Sequence, residues 1–254
     1  MVHRILIVTA VAAEADSVSA GLAPGGPGLL PLPGGLVLRR HTGPDDGGPL
    51  VDVLVGGVGP AAVAASTGTA LAHASLTSPG SSPGSPYDLV VSAGIAGGFQ
   101  PLAPLGSVVV SASVIAADLG AETPDGYLTV EELGFGRSAH PVPDALTGRI
   151  AAALDTGGLP HTVAPVLTVS TVTGTAGRAA ELAERHPGAA AEAMEGFGVA
   201  EAAAAYGVPV VEIRAVSNAV GPRDRAAWRI GEALGALRHT FELLSRTVFL
   251  EPSP

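Results

Sequence analysis

Four polar side chains stand where an otherwise apolar chain changes direction. Glu14 follows the run "RILIVTA" in "AVAAEAD", Glu195 opens "EGFGVA", and Arg214 and Asn218 close "VPVVEIRAVSN". A carboxylate only accepts hydrogen bonds, a guanidinium only donates, and an Asn amide does both. Two acids and a cation gathered at one place can hold hydroxyl groups, polarise a water and stabilise developing positive charge. Each residue also has a plainer reading. Glu14 fits a solvated helix position, Glu195 a favourable charge at a helix N-terminus, Arg214 a structural ion pair and Asn218 a turn cap. Their joint occurrence at strand and helix ends is what sets them apart, because ligands on α/β sheets gather at the carboxyl ends of strands.

Two glycine-rich stretches, "GGVGP" (56–60) and "SAGIAGGF" (92–99), lie at further strand ends. The first reads equally well as a strand–helix turn, because Gly permits tight turns anywhere. The second lacks the Lys-Ser/Thr of a phosphate-binding loop and the full dinucleotide spacing, so no nucleotide cofactor is expected.

The elements that must position these residues follow from periodicity. Apolar β-branched runs alternate with Ala-rich helical patterns. "RILIVTA", "PLVDVLVGGVG", "YDLVVSAGIAGGF", "GSVVVSASVIAADLG" and "VPVVEIRAVS" read as strands, the third running into a Gly-rich turn. "PAAVAASTGTALAHA", "PDALTGRIAAALDTGG", "AGRAAELAERHPG", "MEGFGVAEAAAAYG" and "RDRAAWRIGEALGALRHTFELLSRTVF" read as helices, with Glu195 in the first turn of the fourth. Strands apolar on both faces need cover on both sides. The expectation is one α/β domain over 1–254, three layers deep (α/β/α), with a central, mostly parallel, twisted mixed sheet. "SPGSSPGSP" at 78–86 reads as a flexible loop.

Composition narrows the partners. The net charge is −10 without a basic run, which argues against nucleic acid and anionic membrane surfaces. There is no cysteine, and the seven histidines show no ligand spacing, so no disulfide framework, thiolate chemistry or metal site is expected. "MVHRILIVTAVAA" has the outline of a secretory signal. It also reads as a first buried strand and turn, and nothing after Ala13 resembles the start of a mature domain. A cytoplasmic setting follows from the second reading.

The ordered set "TAVAAEAD … GGVGPAAVAA … SAGIAGGF … LGSVVVS … EAMEGFGVA … VPVVEIRAVSN" resembles the purine nucleosidases and nucleoside phosphorylases of the three-layer phosphorylase/hydrolase fold, over nearly the whole chain. "DLGAE", "GYLTV" and "RAVSNAVGPRDRAAWRI" are most similar to its futalosine-hydrolysing branch, which serves one menaquinone route. The sister branch cleaves methylthioadenosine and adenosylhomocysteine. The resemblance implies an N-glycosyl hydrolase without cofactor, acting on a nucleoside and water, and usually a homo-oligomer. It makes Glu14 the acid that activates water, Glu195 the acid that grips the ribose hydroxyls and Arg214 the residue that orients both. Met194 accompanies Glu195. Ile95, Ala96 and Gly97 bring backbone to the ribose and base, and Val172 and Thr173 bracket the purine, although "STVTG" departs from the adenine enzymes there.

Phosphorylases of this family place an arginine-bearing loop after the first strand. Here Glu14 occupies it, with no basic residue between Arg4 and Arg39. A carboxylate there repels phosphate, so water is the expected nucleophile. The adenine-specific relatives read "SD" where Ser217-Asn218 stand. An amide can face a 6-oxopurine, which offers both an acceptor (O6) and a donor (N1–H). Arg223, Arg225, Trp228 and Arg229 in "GPRDRAAWRI" are candidates to hold the carboxylated 5′ arm of futalosine, or else a solvated helix start with a core Trp. Three alternatives stay open: a methylthioadenosine/adenosylhomocysteine nucleosidase, a general 6-oxopurine nucleosidase, and a non-catalytic nucleoside-binding protein.

Overall fold

The computed structural model describes residues 3–22, 26–43, 48–77 and 87–250. The loop expected at 78–86 lies outside them. The chain begins with β1 (Arg4–Thr9), whose alternating side chains enter two separate cores. Successive strand residues point to opposite faces. Ile5 and Ile7 pack with α1 (Ala12–Leu22), α3 (Asp144–Thr156) and α6 (Ile230–Ser245), while Leu6 and Val8 pack with α2 (Pro60–Thr77) and α5 (Gly196–Ala205). Two cores on opposite faces of one sheet make the three layers.

The sheet is mixed. Parallel ladders join β4 (Leu50–Val55), β1, β5 (Leu89–Gly98) and β12 (Val210–Ala219), and again β6 (Val108–Ala116), β10 (His161–Thr168) and β11 (Ala191–Ala193). An antiparallel ladder joins β12 to β6. β2 (Gly28–Pro31) and β3 (Val37–Thr42) extend the edge beside β4, β9 (Ala139–Pro141) pairs with β6, and β7 (Gly120–Thr123) with β8 (Gly126–Thr129) forms a separate hairpin. α4 (Ala176–Arg185) follows β10 and presents one buried residue, Leu182. Among the described residues no helix is long and apolar enough to cross a membrane.

Three departures from the sequence expectations bear on the site. First, the glycines of "GIAGG" do not form a turn. They continue β5, with Gly97 paired to Asn218 of β12 on one side and to Glu192 of β11 on the other. Pairing to β11 closes β5, β12, β6, β10 and β11 into a ring. Second, α5 starts at Gly196, so Glu195 is its N-cap and not part of its first turn. Third, the C-terminal helix begins at Ile230 and ends at Ser245, not at 223 and 249. Asp224 accepts from the Ala226 N–H and starts a short 3-10 turn instead, and the Arg229 N–H is held at 2.7 Å by the Ser217 carbonyl. That bond ties the segment to the end of β12.

Candidate active site

The carboxyl ends of β1, β5, β11 and β12 surround a cavity of about 240 Å³. Glu14 enters it from the first turn of α1 and is only 4% exposed. Its Oε2 accepts from the N–H groups of Ala10 and Val11 at 3.0 and 3.2 Å, and its Oε1 from the N–H of Ile95 at 2.9 Å. The carboxylate thus fastens the start of α1 to β5. It is not the solvated helix residue that the plainer reading allowed. Each oxygen keeps capacity to accept from a water.

Glu195 stands at a helix N-cap, where an acid usually bonds to its own helix. It makes no such bond. Thr168 Oγ1 instead accepts from the Phe197 N–H at 2.9 Å and takes over that duty. The freed Glu195 carboxylate accepts from the Gly59 N–H at 3.3 Å and lies 3.2 Å from Arg214 Nη2. Gly59 has φ +91°, open to glycine and strained for other residues. "GGVGP" is therefore both a turn and a contributor to the site.

Arg214 is 1% exposed. Its Nε donates to Glu212 Oε1 at 2.7 Å and its Nη2 to Ser92 Oγ at 3.2 Å. Burial alone would lower its pKa, but Glu212, Glu195 and Glu14 outweigh burial and hold it raised. The guanidinium sits behind the cavity wall and fixes the acids. Space for it comes from Gly94, where a Cβ would fall 2.5 Å from Glu14 Oε1 and 2.6 Å from Arg214 Nη1.

Asn218 reaches the cavity through an irregularity. The β5–β12 register shifts between Val216 and Asn218, leaving Ser217 as the extra residue. Such bulges re-aim the next side chain. Ser217 Oγ lies within hydrogen-bond reach of the Ala96 carbonyl (3.2 Å) and Asn218 Oδ1 (2.9 Å).

Ile95, Ala96, Gly97, Val172, Thr173, Met194, Glu195, Ser217 and Asn218 all border the cavity with Glu14. Of the residues named for the 5′ arm, Arg223 and Trp228 border it too, with the guanidinium 5.4 Å from the indole centroid. Arg225 and Arg229 do not. Arg225 lies 6.0 Å from the Trp228 ring, and Arg229 faces Glu232 one helical turn on.

Two buried acids at the site escaped the sequence reading, Glu192 and Glu212. Glu212 is fully buried behind Arg214, and its Oε2 has no hydrogen-bond partner. A charged pair inside the apolar run "VPVVEIRAVS" was the available signal. Gly196 lies directly beneath it, and a Cβ there would overlap the Glu212 carboxylate. Gly196→Ala is expected to push Glu212 off Arg214. Overpacking of this kind costs about 1–3 kcal/mol, and thermal unfolding should fall by roughly 2–4 °C per kcal/mol. An unchanged melting temperature would show that the site tolerates the methyl.

With this geometry in view, the comparisons with known proteins are specific. The family model described as the phosphorylase superfamily matches residues 4–247. The chain belongs to the phosphorylase superfamily. It is 60% identical over 238 residues to a futalosine hydrolase of Streptomyces coelicolor, covering 92% of each chain. It is 45% identical over 239 residues to one of Acidothermus cellulolyticus, covering 94% of this chain and 89% of the relative. Among solved structures, futalosine hydrolase of Helicobacter pylori superposes with a TM-score of 0.78 at 16% identity, over 96% of this chain and 97% of that one. A 5′-methylthioadenosine/S-adenosylhomocysteine nucleosidase of Colwellia psychrerythraea, in complex with adenine, gives 0.75 at 20% identity, over 100% and 99%. At such identities these structures speak for the fold alone.

Proposed function

We propose that the chain hydrolyses the N-glycosidic bond of futalosine, releasing hypoxanthine and dehypoxanthinylfutalosine. The observation that carries this is the 60% identity to a futalosine hydrolase over 92% of both chains. The site chemistry supports it. Glu14, oriented by three N–H groups, polarises a water. As the C1′–N9 bond lengthens, the sugar takes on oxocarbenium character, which Glu14 and Glu195 stabilise from the cavity wall. The water oxygen bonds to C1′, the C1′–N9 electron pair leaves with the purine, and the water proton passes to Glu14 and finally to the departing base.

Phosphorolysis lacks a partner for phosphate. Arg214 is committed to its acids and to Ser92, and the only cation on the cavity border among the described residues is Arg223, beside Trp228. That pair suits a carboxylated aromatic arm at the 5′ position, through a charge-assisted bond and stacking. Assembly of several copies of the chain belongs to the same proposal, and sedimentation of the purified protein tests it.

Chromatography of free bases decides between substrates. Futalosine should yield hypoxanthine, and inosine should be cleaved with kcat/KM at least about tenfold lower, because remote binding energy positions the reacting centre. Methylthioadenosine should release almost no adenine, and added phosphate should give no sugar 1-phosphate. Equal turnover of inosine would make the enzyme a general 6-oxopurine nucleosidase. A sugar 1-phosphate would make it a phosphorylase.

A further inference from the structure

Glu192 is 6% exposed, borders the same cavity as Asn218 and has no part in the steps above. It accepts from the Thr173 N–H at 2.8 Å and from the Thr173 hydroxyl. Burial pushes its carboxyl above the ordinary value. The two Thr173 donors and Arg178 act the other way, and Asp118 adds to the rise. A carboxylate with raised proton affinity is a strong hydrogen-bond acceptor.

Its place in the sheet gives it a target. Gly97 pairs with Glu192 on one side and Asn218 on the other, so the two polar residues flank one point of β5, about 10 Å apart across two ladders. Glu14 is bonded at Ile95, two residues and about 7 Å earlier along the strand. With the sugar at Glu14, a purine reaching along β5 meets Gly97 with its far edge. There Asn218 has already engaged Oδ1 with Ser217 and one N–H with the Ala219 carbonyl. What it retains is one free N–H, suited to O6, and the second lone pair of an oxygen already turned to Ser217. The N1–H of the same edge still needs an acceptor.

Resting on the assignment of the site to a 6-oxopurine nucleoside, we propose that Glu192 is a specificity-determining residue whose carboxylate accepts the purine N1–H while Asn218 donates to O6. Adenine reverses both groups in that order around the ring and would face a donor with a donor and an acceptor with an acceptor.

The test is calorimetric binding of hypoxanthine, adenine and 1-methylhypoxanthine to the wild-type protein and to Glu192→Gln. A buried polar group left unpaired weakens binding, so the wild-type protein should bind 1-methylhypoxanthine at least about tenfold more weakly than hypoxanthine. In Glu192→Gln, Thr173 should hold the amide with an N–H towards the base. Hypoxanthine should then lose about tenfold or more, and its advantage over adenine should shrink. Loss of affinity for both bases alike would reduce Glu192 to a support for Thr173 and overturn the proposal. So would equal wild-type affinity for hypoxanthine and its 1-methyl form, a result that needs no variant to fold. Failure of the wild-type protein to bind hypoxanthine or release it from futalosine would remove the proposal together with the substrate assignment, whereas normal release with indifference to N1 methylation removes the proposal alone.

Discussion

Glu14→Gln is expected to lower kcat on futalosine by about 10²–10⁴-fold, the usual contribution of a positioned acid or base. The amide keeps the shape of the acid but is a poor base. Its binding environment survives in part, since the oxygen can still accept from Ala10 and Val11 or from Ile95, though not from all three. The lost bond leaves one N–H facing an NH₂ group, and some stability should go with it, about 1–3 kcal/mol. Hypoxanthine affinity, measured by calorimetry, should stay within a few-fold of wild type, because the base lies farther along β5. A kcat within about threefold of wild type, in a variant that still melts cooperatively, would remove Glu14 from water activation.

The outline of this site was legible because its residues sit at abrupt changes of pattern. Glu14 follows an apolar strand and Glu195 opens a helical pattern, and the continuous apolar run Ile5, Leu6, Ile7 and Val8 demands a sheet covered on both faces. What could not be read locally depends on pairing between distant segments. "GIAGG" looks like a turn because glycine weakens an isolated strand. It is extended here because β11 and β12 hold it from both sides. The C-terminal helix looked seven residues too long at its start because apolar spacing continues through Ala226 and Trp228. The Arg229 N–H bond to Ser217 overrides that spacing. Arg225 and Arg229 consequently lie off the border of the cavity that Arg223 and Trp228 line. Glu192 was hidden in a three-residue strand, too short to show any period.

Arg214→Met should have the largest effect on stability. The guanidinium is the shared partner of Glu195 and Glu212, and Glu14 lies within its field. Methionine fills similar volume without charge, so it isolates the electrostatic part of the loss. Breaking a buried ion pair by removing one partner costs about 3–5 kcal/mol, because the remaining charge is left uncompensated. The pH dependence separates this cause from poor packing. Burial raises the Glu212 carboxyl above its ordinary value, Arg214 pulls it back and Glu195 raises it again. Without Arg214 the pull is gone, and the folded variant binds a proton at Glu212 more tightly than the unfolded chain, whose Glu titrates at about 4.3. Stability then rises as pH falls through the raised folded value towards the unfolded one. Urea unfolding of both proteins should therefore show the deficit of Arg214→Met largest at pH 7–8 and narrowing near pH 5. A deficit that stays constant over that range would assign the loss to packing, and one that widens in acid would mean that Glu212 is not the charge Arg214 holds in place.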